Sequence, residues 1–267
     1  MSSVQVLLRH HVRLHRATLV PLAVGLAVFE WIMTVVAGQP SVSRFLTSAL
    51  NAAPPQFLAL LNQDQRSIIS AQGIVSVGYS HPFALLMMAV VAVRVSSAAL
   101  AGEIGRRTMD LMAARPILRA AHVTAALAAV VAGLGILAAA AYAGTLIGLV
   151  IGPVPGVSAL RYAPVALQLW VLFACWGAIG IAVSALCREA GQAIAWTSGL
   201  MAGSFVLDYA ARVWPTLAPL RPFSLFRYYE PQRVMSAGLA GHDLAVPAAV
   251  GAAALLLAYA VFSRRDL

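Results

Sequence analysis

Apolar residues along this chain gather in six long runs, at about 18–37, 82–100, 121–151, 164–186, 191–211 and 244–262. A helix of about 20 predominantly apolar residues crosses the roughly 30 Å hydrocarbon layer of a bilayer, so each run predicts a membrane span. The third is long enough to tilt or to project beyond the bilayer. Residues 1–17 interleave Val4, Leu7, Leu8, Val12 and Leu14 with Arg9, His10, His11, Arg13, His15 and Arg16, the pattern of a helix lying in the membrane interface. Residues 101–119 set Arg106, Arg107, Arg115 and Arg119 among Ile104, Met109, Leu111, Met112 and Ile117. They predict a second, shorter amphipathic helix, broken near its end by Pro116. After Pro54 and Pro55, the stretch FLALLNQDQRSIIS predicts a short outer-surface helix. Residues 212–243 form a loop rich in proline and aromatics, with short helices expected at the membrane edge. The fold class is an all-α integral membrane protein, one transmembrane domain over 1–267.

Composition sharpens this picture. Hydrophobic residues make up 61% of the chain and charged residues 10%, against about 25% charged in soluble domains. The N-terminus has no small-residue cleavage site after its first apolar run, so the first span is expected to stay attached. All 18 basic side chains are arginine. Without lysine there is no phosphate-binding loop of the Walker type, so ATP, if used, must be bound by another chain. The formal net charge of +9 reads as anchoring at an anionic lipid face and not as nucleic-acid binding. Arginine density also sets the expected orientation. With the N-terminus inside, the inner segments 1–17, 101–120, 187–190 and 263–267 hold ten arginines in 46 residues. The outer segments 38–81, 152–163 and 212–243 hold seven in 88. Both termini are therefore expected in the cytoplasm.

Candidate chemistry is sparse. Glu30 and Arg94 are ionisable residues inside the first and second runs, a costly placement that marks either a polar path or a tolerated buried charge. Counted along their helices they differ in depth by roughly 9 Å at about 1.5 Å per residue, which argues against a direct pair. The histidines do not cluster, and no HExxH motif is present, so no metal site is expected. Ser198-Gly199 lacks the wider pattern of a membrane serine protease and has no intramembrane histidine to act as base. Cys175 and Cys187 read as small buried hydrophobes. Gly144 and Gly148, with Gly152 one turn on, form a GxxxG series suited to close helix packing within the chain.

Several of these features together resemble the membrane subunit of type II ABC exporters, over the whole chain. Members have six spans, cytoplasmic ends, an N-terminal interfacial helix and a basic coupling helix between spans two and three. In that helix Glu103, Thr108, Leu111, Pro116 and Arg119 fit the family's pattern, while Arg107 stands where glycine is common and His122 where lysine is common. The loop sequence RPFSLFRYYEP and the closing FSRRDL are similar to two further family marks. The resemblance implies a non-catalytic permease subunit of an ATP-driven exporter, coupled to two copies of a separate ABC ATPase that carries ATP and Mg. It also implies a second permease copy, expected as a homodimer, in a bacterial cytoplasmic membrane. It makes Glu103, Arg106, Arg107, Thr108, Asp110, Leu111, Arg115, Pro116 and Arg119 the ATPase-coupling residues. It places Phe223, Tyr228, Tyr229 and Pro231 in the functional outer loop, while Glu30 and Arg94 stand as candidate path-lining residues from their placement in the runs alone. Two alternatives stay open: an ATPase-linked membrane scaffold for mechanical signalling, and a secondary carrier, which should show broken spans and more buried ionisable groups.

Overall fold

A computed structural model describes residues 3–54, 70–105, 119–152, 154 and 156–264. All regular structure among these residues is helical, as an apolar environment demands, because a helix satisfies its backbone polar groups internally. The helices are α1 (Ser3–Ala37), α2 (Pro40–Ala52), α3 (Ala71–Ser80), α4 (Pro82–Ser97), α5 (Arg119–Ile151), α6 (Tyr162–Leu186), α7 (Ala190–Val213), α8 (Pro231–Ala237) and α9 (Gly241–Arg264). Among the described residues five stretches are long and apolar enough to cross a membrane: Leu14–Ala37, Ala71–Gly105, Arg119–Ile151, Ala159–Leu186 and Gly241–Arg264. The helix α7 has the length but a more polar composition, carrying Gln192, Thr197, Ser198, Ser204, Asp208 and Arg212. The chain is thus an all-α membrane protein.

Two elements differ from a simple division into runs. The backbone of α1 is one continuous helix, so the interfacial segment 1–17 and the first run share a rod from Ser3 onward. The second apolar stretch begins earlier than Pro82. Ser70 caps α3 by accepting the Gly73 N–H at 3.0 Å, and α3 runs to a one-residue break at His81. There the His81 N–H ends α3 on the Gly78 carbonyl, and its Nδ1 accepts the Phe83 N–H at 3.2 Å to start α4. Pro82 follows at the first helical position, where a missing N–H costs nothing. The stretch 57–70 expected as an outer helix lies, up to residue 69, outside the described residues.

The core is centred on α5 and α6, which are apolar on nearly every face. Helix α1 packs along α5, and α9 packs along α6. The GxxxG glycines set the first of these contacts. A methyl group at Gly144 would collide with the Ala27 carbonyl, and one at Gly148 would lie 2.6 Å from Thr34 Cβ. The series therefore joins α1 to α5 within the chain. Fully buried Leu26, Leu134, Leu137, Leu169, Phe173 and Tyr162 fill the interior. Cys175 and Cys187 are buried. Helix α7 stands at the edge, held by α4, α6 and the following 3₁₀ turns.

Candidate functional site

Between α4 and α7 lies an open groove of about 750 Å³. Leu86, Val90 and Val93 line it from α4, Ile194, Met201 and Phe205 from α7, and Phe173 of α6 lies beneath. Phe226 closes the end near Pro82, its ring set edge-on to Phe205 at 5.3 Å and 85°. Toward the other end Arg94 opens onto the groove. Its side chain is exposed, and no carboxylate among the described residues is in ion-pair reach. Glu30 is elsewhere: it is fully buried against Gly78 of α3, and neither carboxylate oxygen has a hydrogen-bond partner. Glu30 and Arg94, of the first and second runs, are therefore not paired.

At its far end α4 changes geometry. Ala98–Gly102 form a π-helical turn, and Glu103–Gly105 continue as one helical turn. The cause is a side chain from α6. Ser184 Oγ accepts the Ala101 N–H at 2.9 Å and donates to the Ser97 carbonyl at 3.1 Å. Those two groups are four residues apart, the pair that an α-helical bond would join. A hydroxyl inserted into that ladder widens the helix. Beyond this turn Glu103 is buried at 4% exposure. Arg119, which opens α5, donates to the Ser263 carbonyl in the last turn of α9 at 3.1 Å. Of the other coupling candidates, Arg106, Arg107, Thr108, Asp110, Leu111, Arg115 and Pro116 lie outside the described residues.

The opposite end of the bundle is tied by a chain of ion pairs. Asp208 of α7 accepts from Arg212 at 2.6 Å and from Arg221 at 2.9 Å. Arg221 and Arg233 both reach Glu230, at 2.7 and 3.2 Å, and Arg233 reaches Asp243 at 2.5 Å. Asp243 also accepts the Ala240 N–H at 3.0 Å, which seats it at the start of α9. Burial lowers the proton affinity of Arg221, but hydrogen bonds and charge from Asp208 and Glu230 outweigh it and raise the guanidinium above its ordinary value. For Arg233 the hydrogen bond it donates to Asp243 leads in the same direction.

The aromatic loop residues divide. Phe223 is 78% exposed. Tyr228 is half-buried and donates to the Pro222 carbonyl at 3.2 Å. Tyr229 is buried and donates to the Tyr79 carbonyl at 2.8 Å, and burial holds its hydroxyl proton well above the usual range. Pro231 is buried as the first residue of α8. Sequence reading placed Phe226 among the loop aromatics but not in the groove, and it missed Ser184 and Gly78. Only the spacing of acids and arginines over 208–243 could have announced the ion-pair chain.

A family model described as ABC-2 family transporter protein matches residues 19–267, nearly the whole chain. No curated protein matches it.

Proposed function

The chain belongs to the ABC-2 family of transporter proteins and is a membrane permease component of an ABC transporter; from that premise we propose that it forms an export path with a second copy of itself, served by two separate ATPase subunits. ATP and Mg are handled on those partners, since this chain has no lysine for a phosphate loop. Both termini face the cytoplasm of a bacterium, and the segment 103–119 is the element on which the ATPases act.

One observation carries this reading. The helix α4 is at once a wall of the groove and the lead into 103–119. Closure of the ATPases on nucleotide displaces the basic segment. The displacement passes through the Ser184-wedged turn to Val93, Arg94 and Val90, and so changes the width of the groove against α7. Arg94 lines the path in this account, whereas Glu30 belongs to the packing of α1 on α3. The arginines of 103–119 can form charge-assisted bonds with acidic groups on a partner, while the apolar residues between them fill a groove as amphipathic helices do. The groove favours transport over a scaffold that only transmits force.

The test is charge reversal. Arg107→Glu together with Arg115→Glu should abolish copurification of the ATPase while the protein still inserts in the membrane. ATPase binding with unchanged turnover would leave the arginines as lipid anchors, worth about 1 kcal/mol each, and the coupling role would be wrong.

A further inference from the structure

Among the described residues Arg94 is the only ionisable one lining the α4–α7 groove. The fold treats the arginines at the opposite end of the bundle differently: Arg212, Arg221 and Arg233 each hold carboxylates. A guanidinium facing an apolar groove is unfavourable unless it is paired or wet. Its planar fork is suited to bidentate binding of a phosphate or carboxylate. From Arg94 back to Pro82 the groove wall is apolar, with Leu85, Leu86, Ala89 and Val90 on one side and Met201, Ala202 and Phe205 on the other. Twelve residues of helix at about 1.5 Å each make this wall roughly 18 Å long. The volume of about 750 Å³ falls in the range of roughly 300–1,000 Å³ typical of small-molecule sites.

We propose that this groove binds a phosphate-headed acyl amphiphile drawn from the bilayer, its head on Arg94 and its hydrocarbon between α4 and α7. Charge complementarity selects the head and the apolar walls accept the tail. Ser198, one of the few polar groups on the α7 wall, is placed to take a further oxygen of the head. The amphiphile is the cargo class, so this inference rests on the permease reading above.

The experiment uses the purified full-length protein with two photoreactive lipids that share the same diazirine-bearing tails, one a phosphatidic acid and one a phosphatidylcholine. Labelled peptides are mapped by mass spectrometry. The phosphatidic acid should label 82–98 and 190–205 in preference to the choline lipid. Arg94→Gln should lower that labelling about tenfold, the loss expected from one charge-assisted contact, while Arg94→Lys retains most of it. Ala202→Trp, which fills the groove, should lower labelling by both lipids. An unchanged elution volume and unchanged ATPase copurification show that the variants fold. Equal labelling of wild type and Arg94→Gln, or labelling that ignores the head group, would overturn the proposal in favour of ordinary boundary lipid. A Ser198→Cys disulfide between two copies, with no labelling of the groove, would overturn it in favour of a sealed interface between permeases. ATPase copurification separates the two readings: if it is absent while Arg94-dependent labelling persists, the coupling account fails and the amphiphile site stands.

Discussion

Glu30 shows what a single residue can do in this fold. It is an ionisable group fully buried in the bundle, with its carboxylate laid against the bare backbone of Gly78. A Cβ at position 78 would lie 2.5 Å from Oε2, so Gly78→Ala should overpack the contact and destabilise the protein by about 1–3 kcal/mol. Adding Glu30→Ala should recover part of that loss, and the coupling is read from thermal unfolding of the two single variants and the double variant in detergent. Additive effects would show that the two residues do not press on each other. The position of Glu30 was legible in the sequence as an acid inside an apolar run. Its partner was not, because glycine leaves no hydrophobic or charged signal and α3 lies 48 residues further on. The same holds for Tyr229. Its ring fits the interfacial belt by composition, yet it works as a buried tie to the Tyr79 carbonyl.

Among the described elements, the end of α4 takes its shape from another helix. Ser184 supplies both halves of a bond that the α4 backbone would otherwise make alone. Ser184→Ala should let Ala101 close on Ser97 and rewind the turn. The expected outcome is a fall in ATPase stimulation or export with ATPase copurification intact, since the binding segment itself is untouched. Unchanged turnover would remove the turn from the transmission route. Helix type and approximate extent were legible from the apolar runs, because a 20-residue apolar segment has few structures open to it in lipid. The π turn was not legible. It arises from a serine 83 residues away from the N–H it meets, and no local pattern encodes that meeting. The break at His81 was legible only through Pro82.

For the whole molecule, the sequence conveyed class and family, and the arginine bias gave an expected sidedness. That sidedness is tested with cysteines at Ser263 and Ser48, in the last turn of α9 and on α2. A membrane-impermeant thiol reagent should label Ser48→Cys in whole cells and spare Ser263→Cys, and the reverse pattern would invert the protein. Helix order followed from the runs, but neighbour relations did not. That α1 lies on α5 and α9 on α6 depends on small residues such as Gly144 and Gly251, which meet a carbonyl of α1 and the backbone of Cys175.

The ion-pair chain on Asp208, Glu230 and Asp243 changes how the protein looks from a distance. It contains three arginines and three carboxylates, so beyond a Debye length of about 8 Å at physiological ionic strength it acts as a neutral body. The formal charge of +9 therefore resides on the rest of the chain. Three of the four arginines that crowd residues 212–243 are neutralised where they stand, and this end of the bundle carries far less charge than its arginine count implies.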